Sequence, residues 1–481
     1  MHKLTVTLKQ HTPLIHFQHD QDGATLRASE VKPKLDKFII ERCFHNSFDE
    51  CKKFLLGYTE KNEEALHEKF NDIDRPFRAL NYKISIEAEG PINMSLNPKL
   101  IGNKWETDVF PFLLCNMGGK EKKDELMNFV MYKNNSIVLL IKDNLLPDIM
   151  IQNLPNFFFN TNFGQRQNKG FGSYTVTKLL KDDVLLEIDP DKLNPLKVLP
   201  SKTPLMKFCL TEFYELDKQF QLFSVLDFYW KCLKSGINYT KRIVGKDDVT
   251  YKNEERYIKS FLYTYLNTYK GKTWEKRLIK QSFGLETPLP NRNICENNNE
   301  VIFGRAMLGC PNFFEYRVPQ GKLDEFSSKR KELTKEYRVL IKNKEIERIP
   351  TPIIFKPVIT TKKDTKKTET IVSVFILVDN DIYTSIEKSN NKTFEFTLEE
   401  KNGKDYIPTG KNLNIKISPS DIDYLDLIRK FHSFIYSNKE MANAIFGKEV
   451  KQDDRKFKML ARNFQWENIL EGNNLVSFYQ I

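Results

Sequence analysis

The sequence predicts an α+β protein with antiparallel sheets, in which two similar α+β domains are separated by a helical segment. Strand and helix patterns alternate over the first 200 residues, long helical patterns dominate residues 201–300, and strand signals return from residue 301. The chain has 481 residues, of which 40% are hydrophobic, so it can fill several cores. We therefore predict domains at residues 1–200, 201–300 and 301–481.

The first domain begins with a strand and a helix. Residues 3–9 alternate apolar and polar side chains, the period-two pattern of a strand with one buried face. After a polar loop, residues 26–44 show helical spacing of apolar residues, with Ser29 as the predicted N-cap. The helix is expected to begin near Val31, because Pro33 is best tolerated in a first turn.

The same two periodicities predict the remaining elements of this domain. They are a strand at 82–88, an excursion at 90–119, a helix at 120–132, a strand at 136–142, a helix at 145–159 interrupted near Pro155, and a strand at 173–180. The order strand, helix, strand, strand, helix, strand is that of a ferredoxin-like or RRM domain. Such a domain carries its helices on one face of an antiparallel sheet and leaves the other face free for RNA.

Beyond residue 200 the patterns predict packing helices and then a further α+β domain. The predicted helices are 213–234, 254–269 and 422–435, and the predicted strands are 352–359, 371–378 and 393–398. The aromatic residues of 213–234 are interpreted as core. The segment 273–280 is either a basic, aromatic RNA surface or an exposed helix held by one buried tryptophan. The lysine-rich stretches 327–344 and 360–370 are expected to be solvated hairpin tips, with diffuse attraction of phosphate as the alternative.

Composition favours an acidic partner. The chain has 75 Lys and Arg against 64 Asp and Glu, a formal charge of +11 and a pI near 9.0, which makes nucleic acid the first candidate. No stretch reaches the roughly 20 apolar residues that span a bilayer, so we expect a soluble, cytoplasmic protein. The seven cysteines are scattered without a CxxC pair, and we expect reduced thiols, no zinc site and no cofactor.

A glycine-rich loop at residues 162–173 is the predicted nucleic-acid contact. Its glycines can take backbone angles closed to other residues, and exposed N–H groups there can hold an anion. Arg166 offers a planar fork for phosphate or a base edge, Lys169 a point charge, and Phe171 a face on which a base can stack. The alternative is a hairpin turn whose basic residues are merely solvated. The predicted contacts are Gln165, Arg166, Lys169, Gly170, Phe171, Gly172 and Ser173.

The start of the first helix is the second predicted contact. Positive charge at a helix N-terminus opposes the helix dipole, and it is explained if an external phosphate docks there. An ordinary solvated basic turn is the alternative. The predicted RNA-binding residues of this segment are Arg27, Ser29, Lys32 and Lys34.

Three motifs together resemble the RAMP superfamily of CRISPR-associated proteins. They are TPL at 12–14, ATLRASEVKPKL at 24–35 and GQRQNKGFGSYTV at 164–176, and a stretch RIPTPIIFKPV at 348–358 is similar to the second half of the large double-RRM subunit of type III-B (Cmr) effector complexes. The resemblance implies two RRM-like folds and binding to guide RNA or to its duplex with target RNA. It also implies assembly with other RAMP subunits, in antiviral defence.

The sequence leaves three classes of function open: a non-catalytic RNA-binding subunit, which is preferred, an endoribonuclease and a scaffold. A metal-dependent target-RNA endoribonuclease is the alternative. Asp20 and Asp22 lie in the loop after the first strand, and in RAMP subunits that cleave target RNA an aspartate of the corresponding loop is implicated in cleavage. Metal-free RNA cleavage by His16, His19 or His45 is less supported. A scaffold that binds acidic proteins is the third possibility.

Overall fold

The computed structural model describes most of the chain up to residue 437. The described residues are 1–15, 25–72, 76–95, 99–101, 104–106, 128–187, 205–210, 222–223, 226, 229–244, 251–285, 300–310, 312–319, 334–346, 349–363, 368–379, 392–418 and 422–437. They form two compact units. The first comprises the described residues of Met1–Leu226 and Ile354–Leu377, and the second those of Asp227–Ile353 and Val378–Ala461.

The described α-helices are α1 Ala28–Cys43, α2 Phe48–Cys51, α3 Glu63–Phe70, α4 Leu146–Asn160, α5 Phe261–Lys270, α6 Glu275–Phe283 and α7 Tyr424–Ser437. The described strands of the first half are β1 His2–Gln10, β2 Tyr82–Ser95, β3 Lys99–Ile101, β4 Lys104–Glu106, β5 Asn128–Ile141, β6 Tyr174–Lys181, β7 Val184–Leu185, β8 Leu205–Leu210, β9 Ile237–Val244 and β10 Tyr251–Ile258. Those of the second half are β11 Lys272–Trp274, β12 Glu300–Ile302, β13 Phe313–Pro319, β14 Thr334–Lys342, β15 Ile353–Lys363, β16 Thr368–Val378, β17 Thr393–Asn402 and β18 Asp405–Lys416.

The first unit is built on a five-stranded antiparallel sheet with the order β2-β5-β1-β6-β7. Helix α1 connects β1 to β2, and α4 connects β5 to β6. The four long strands therefore have the ferredoxin-like order, in which the first and third strands lie at the centre. The predicted α+β class with antiparallel sheets is confirmed.

The core of this unit lies on one face of that sheet. The alternate residues Leu4, Val6 and Leu8 of β1 are buried, as the period-two pattern predicts. They join one apolar cluster with α1 and α4, to which Ile39 and Phe157 contribute. The helices thus cover this face, and the opposite face of the sheet carries the half-buried and exposed residues of the same strands.

A second sheet in the first unit has the order β15-β16-β8, with β8 and β16 antiparallel. Strand β15 lies at an edge of this sheet. Its Pro357 has no N–H group, which suits a strand edge that lacks a partner strand. Residues 205–210 and 353–378 are far apart in sequence, so this sheet forms by long-range pairing.

The second unit contains a four-stranded antiparallel sheet with the order β13-β14-β17-β18. A short parallel pair, β11 and β12, accompanies helices α5 and α6. Glu275 in the first turn of α6 is fully buried and bonds to the buried Arg305. This buried ion pair connects α6 to the 3-10 helix Gly304–Leu308.

Two predicted helices are partly strands. Residues 128–132, predicted as the end of a helix, belong to β5, and residues 120–127 lie outside the described residues. Residues 254–258, predicted as the start of a helix, belong to β10, which pairs along its length with β9. Helix α5 starts at Phe261, where the Ser260 hydroxyl accepts a hydrogen bond of 3.2 Å from the Tyr263 N–H. Long-range strand pairing outweighs local helix propensity in both segments.

The predicted boundaries of α1 and α4 are also corrected. Helix α1 begins at Ala28 with Arg27 as N-cap, so Ser29 is not the cap and Pro33 lies inside the helix. Helix α4 continues through Pro155 instead of breaking there. An internal proline costs about 3 kcal/mol, and in α4 the buried apolar face that packs on the sheet offsets this cost.

Several of the later predictions are confirmed. Phe223 and Leu226 of the predicted helix 213–234 are buried, in agreement with their interpretation as core. The predicted strands correspond to β15, β16 and β17, and the predicted last helix to α7. The described parts of the two lysine-rich stretches belong mainly to β14, β15 and β16. Residues 327–333 and 364–367 lie outside the described residues, so the predicted hairpin tips stay a prediction. The three predicted domain boundaries stay a prediction; residues 201–300 divide between the two units.

Candidate nucleic-acid interface

The start of α1 and the glycine-rich loop lie against each other. The Lys34 Nζ donates to the Gln167 side-chain oxygen at 2.9 Å and to the Asn162 carbonyl at 3.2 Å. The Glu30 carboxylate accepts from the Gly164 N–H at 2.7 Å and from Lys34 at 2.8 Å. Two segments that the sequence predicted separately as contacts are therefore one surface.

The outer part of the loop is partly accessible, although one terminal nitrogen of the Arg166 guanidinium is buried. Gln165, Arg166 and Lys169 are half-buried, and a 3-10 turn at Gln167–Lys169 follows Arg166, whose backbone is left-handed with φ 55°. Arg27 and Ser29 at the start of α1 are exposed. We call these residues the rim, defined as Arg27, Ser29, Lys34, Gln165, Arg166 and Lys169.

The inner part of the loop is buried, and it serves the fold. The Gly172 N–H donates to the Pro13 carbonyl, and the Gly170 carbonyl accepts from the Thr12 hydroxyl at 2.7 Å. A Cβ on Gly172 would lie 2.0 Å from the Phe163 carbonyl oxygen, and its φ is +63°. This glycine is therefore needed for close approach of two backbone segments rather than for approach of a ligand.

Phe171 does not offer a ring to RNA. Its side chain is 1% exposed and lies parallel to the Phe223 ring, with centroids 3.9 Å apart and planes 3° apart. The prediction that a base stacks on Phe171 is wrong, because the rings of Phe171 and Phe223 are both buried in the core.

Lys32 also departs from its predicted role. Its Nζ donates to the Asp36 carboxylate at 2.8 Å and to the Leu80 carbonyl at 2.9 Å, and it lies 3.8 Å from the Tyr82 ring centroid. Burial raises the pKa of Asp36, and the adjacent Lys32 charge opposes that rise. Lys32 is therefore placed to connect α1 to β2, and it is not part of the rim.

Two buried residues beneath the loop were missed by sequence reasoning. Lys356 of β15 is fully buried, and its Nζ donates to the carbonyls of Phe158, Thr161 and Tyr174 at 2.7, 2.9 and 3.0 Å. His11 accepts a hydrogen bond from the Ile359 N–H and bonds to the Thr175 hydroxyl at 2.8 Å. The sequence did contain a sign of the buried Lys356, because a lysine stands inside the apolar run IIFKPV.

Burial lowers the pKa of both groups. For His11 the main cause is loss of solvent, and the charges of Lys9 and Lys356 act in the same direction. For Lys356 loss of solvent lowers the pKa well below its ordinary value. The three carbonyl acceptors act against this, since only the ammonium form has three N–H groups to donate.

The sheet face opposite α1 and α4 is accessible, as predicted for an RRM-like domain. Its central residues are half-buried or exposed. They are Lys3, Thr5 and Thr7 of β1, Ser136, Val138 and Leu140 of β5, and Lys83, Ser85 and Glu87 of β2. None of these is aromatic, so this part of the face lacks the stacking rings with which RRM domains hold bases.

Two further predictions concern chemistry and surface. Asp20 and Asp22 lie outside the described residues, so their suggested nuclease role stays a prediction. Within the described ranges no cluster of three or more His, Cys, Asp or Glu side chains is placed to hold a metal ion. Trp274 of the segment 273–280 is buried, which favours an exposed helix held by one tryptophan over an aromatic RNA surface.

No helix in the described part of the chain combines the length and the apolar character that crossing a bilayer requires.

Comparison with known families gave two matches that cover most of the chain. The model of the Cmr1 N-terminal domain matches residues 1–237, and the model of the Cmr1 C-terminal domain matches residues 257–452. The comparison with curated proteins gave no significant match.

The comparison with solved structures matched chains of low identity and low TM-score, of which two are described. One comes from a cryo-EM structure of the Type III-B Cmr-beta bound to cognate target RNA; it is 12% identical, with a TM-score of 0.21 over 38% of this chain and 60% of that chain. The other comes from the same kind of complex with target RNA and AMPPnP, in the presence of ssDNA. It is 10% identical, with a TM-score of 0.28 over 77% of this chain and 94% of that chain.

Proposed function

Because the chain belongs to the Cmr1 family of RAMP-type CRISPR-associated proteins, we propose that it is a non-catalytic RNA-binding subunit of a type III-B effector complex. Its partners in this role are guide RNA, target RNA paired with it, and other RAMP subunits. The rim is the proposed contact with the RNA backbone.

The observation that carries the proposal is the contact between Lys34 and Gln167. It places the first turns of α1 beside the outer part of the loop, and we infer that four basic side chains of the rim share one surface. They are Arg27, Lys34, Arg166 and Lys169. A surface of this kind holds phosphates and does not read bases, so recognition is sequence-tolerant.

Glu30 modifies this surface. Its carboxylate accepts hydrogen bonds from the Gly164 N–H and from one Lys34 N–H, so these donors are already occupied by a protein carboxylate instead of a phosphate. The remaining Lys34 donors serve the Asn162 carbonyl and Gln167. We assign phosphate binding chiefly to the basic charge of Arg166, Lys169 and the exposed Arg27, and assign Lys34 to holding α1 against the loop.

The test is the salt dependence of RNA binding by the full chain. Arg166→Ala combined with Lys169→Ala is expected to weaken binding of guide RNAs of unrelated sequence alike. It is also expected to reduce the slope of log K against log salt by about 1.4, since each phosphate contact to a single strand contributes about 0.7.

The matched control removes two exposed lysines elsewhere in the first unit, by Lys53→Ala combined with Lys142→Ala. It makes the same change in net charge, so it separates a local contact from the general attraction of a basic protein. Equal losses of affinity in the two double variants, or an unchanged affinity in the first, would contradict the proposed contact.

A further inference from the structure

Lys356 connects both ends of the glycine-rich loop. Phe158 and Thr161, whose carbonyls accept two of its hydrogen bonds, precede the loop, and Tyr174, which accepts the third, follows it. The loop therefore begins and ends at one ammonium group. That group comes from β15, nearly 200 residues further along the chain: the sequence separations are 198, 195 and 182.

The neighbours of Lys356 in β15 add two further connections. The Asn162 side-chain amide donates to the Phe355 carbonyl at 2.8 Å, and the Ser173 hydroxyl donates to the Pro357 carbonyl at 2.6 Å. Asn162 and Ser173 are the first and last residues of the loop, and they also form a backbone bridge with each other. The edge of β15 thus fixes the width of the base of the loop.

Lys356 donates hydrogen bonds to carbonyl groups at the end of α4 that have no donor within the helix. Phe158 lies in the last turn of α4 and Thr161 is its C-cap, so their carbonyls belong to the end of a helix that lacks intrahelical donors. A cation suits this end of the helix because it carries the negative pole of the helix dipole. All described hydrogen-bond acceptors of Lys356 are carbonyls.

We propose that Lys356 is a positioning residue for RNA binding, which sets the geometry of the loop base and thereby the placement of Arg166 and Lys169 on the rim. This inference rests on the proposed function. It makes the C-terminal half of the sequence a determinant of a surface that the N-terminal half supplies.

The experiment is a double-mutant cycle in the full chain, read by RNA affinity. Lys356→Met keeps the length of the side chain and removes its donors, and Lys356→Arg keeps a charged donor. We expect Lys356→Met to lose about tenfold or more in affinity, and Lys356→Arg to lose less. In the Lys356→Met background, Arg166→Ala with Lys169→Ala is expected to cost less than about twofold, because residues that act as a unit are not additive.

Hydrogen exchange supplies the second readout. Amides of residues 162–174 are expected to exchange faster in Lys356→Met, while those around the α2–α3 connection at residues 52–62 remain unchanged. Ser173→Ala removes one hydrogen bond at the same base with little change in volume. It is expected to show the same pattern in weaker form, which keeps the test valid if Lys356→Met does not fold.

The outcomes separate the two proposals. If Arg166→Ala with Lys169→Ala weakens RNA binding equally in the wild-type and Lys356→Met backgrounds, positioning by Lys356 is wrong and the proposed function stands. If that pair has no effect in the wild-type chain, both proposals fail. Unchanged exchange of residues 162–174 in Ser173→Ala and Lys356→Met would also overturn the positioning role.

Discussion

Phe171 lies face to face with Phe223, with ring centroids 3.9 Å apart. Because both rings are buried, we expect Phe171→Leu to keep RNA affinity within about twofold of the wild type, whereas an aromatic ring that stacks on a base contributes about 1–3 kcal/mol. The measurement is RNA affinity of the variant beside its melting temperature. A tenfold loss of affinity at an unchanged melting temperature would restore the stacking role.

Gly172 should be the least replaceable glycine of the loop. Alanine in the left-handed region costs about 1–2 kcal/mol, and at Gly172 the added Cβ would also meet the Phe163 carbonyl oxygen at 2.0 Å. Gly57 is a matched control in the same unit, since its φ is +77° and nothing lies within 4 Å of its Cβ position.

We therefore expect Gly172→Ala to lower the free energy of unfolding by several kcal/mol, and Gly57→Ala by about 1–2 kcal/mol. Urea unfolding of the two variants measures this difference. Similar losses at both positions would mean that the base of the loop adapts freely, against the packing described above.

His11 predicts a pH dependence of stability. Its pKa is lowered by burial, so the folded chain keeps it neutral while the unfolded chain binds a proton below about pH 6.5. The contribution of His11 is thus fully present above that pH. It is lost as the pH falls toward the lower pKa of the folded state, at up to about 1.4 kcal/mol per pH unit.

The variant His11→Gln isolates this contribution. A glutamine amide can accept from the Ile359 N–H and donate to Thr175, as His11 does, but it does not titrate. Urea unfolding at pH 7.5 and 5.5 should show a smaller loss for the variant than for the wild type. The buried His432, with a pKa lowered to about 4, contributes equally to both proteins. Identical losses of stability in the variant and the wild type would show that the pKa of His11 is not lowered in the folded chain.

The buried Glu275–Arg305 ion pair is expected to make the stability of the second unit depend on keeping or removing both partners together. Arg305 also lies with its guanidinium 3.6 Å from the Phe314 ring centroid. Arg305→Leu would leave the fully buried Glu275 without its counterion, at a cost of about 3–5 kcal/mol. We expect Glu275→Leu combined with Arg305→Leu to be more stable than Arg305→Leu alone in urea unfolding. A double variant that is no more stable than the single one would contradict this account of the pair.

The sequence predicted the first strand of the five-stranded sheet because that strand has one buried face. The alternation in β1 is directly visible in the pattern, and its buried residues are the predicted ones. Local patterns failed where pairing with another strand decides the structure. Residues 254–258 pair with β9 and are therefore a strand, although their composition fits the helix that follows.

The candidate site was predicted in outline. The loop and the start of α1 were both identified, and the structure brings them together through Lys34 and Gln167. The division of the loop into an accessible rim and a buried base was not predictable. Phe171 has its stacking partner 52 positions away in the chain, at Phe223, and Lys356 reaches the loop from β15. No local pattern reports such contacts.

The most direct test of the central claim is photo-cross-linking of RNA to the chain in its native assembly. RNA containing 4-thiouridine is cross-linked, and the modified peptides are mapped by mass spectrometry. We expect cross-links in residues 164–169 and near Arg27, and none on Phe171. Cross-links confined to other parts of the chain, with residues 164–169 recovered unmodified, would contradict it.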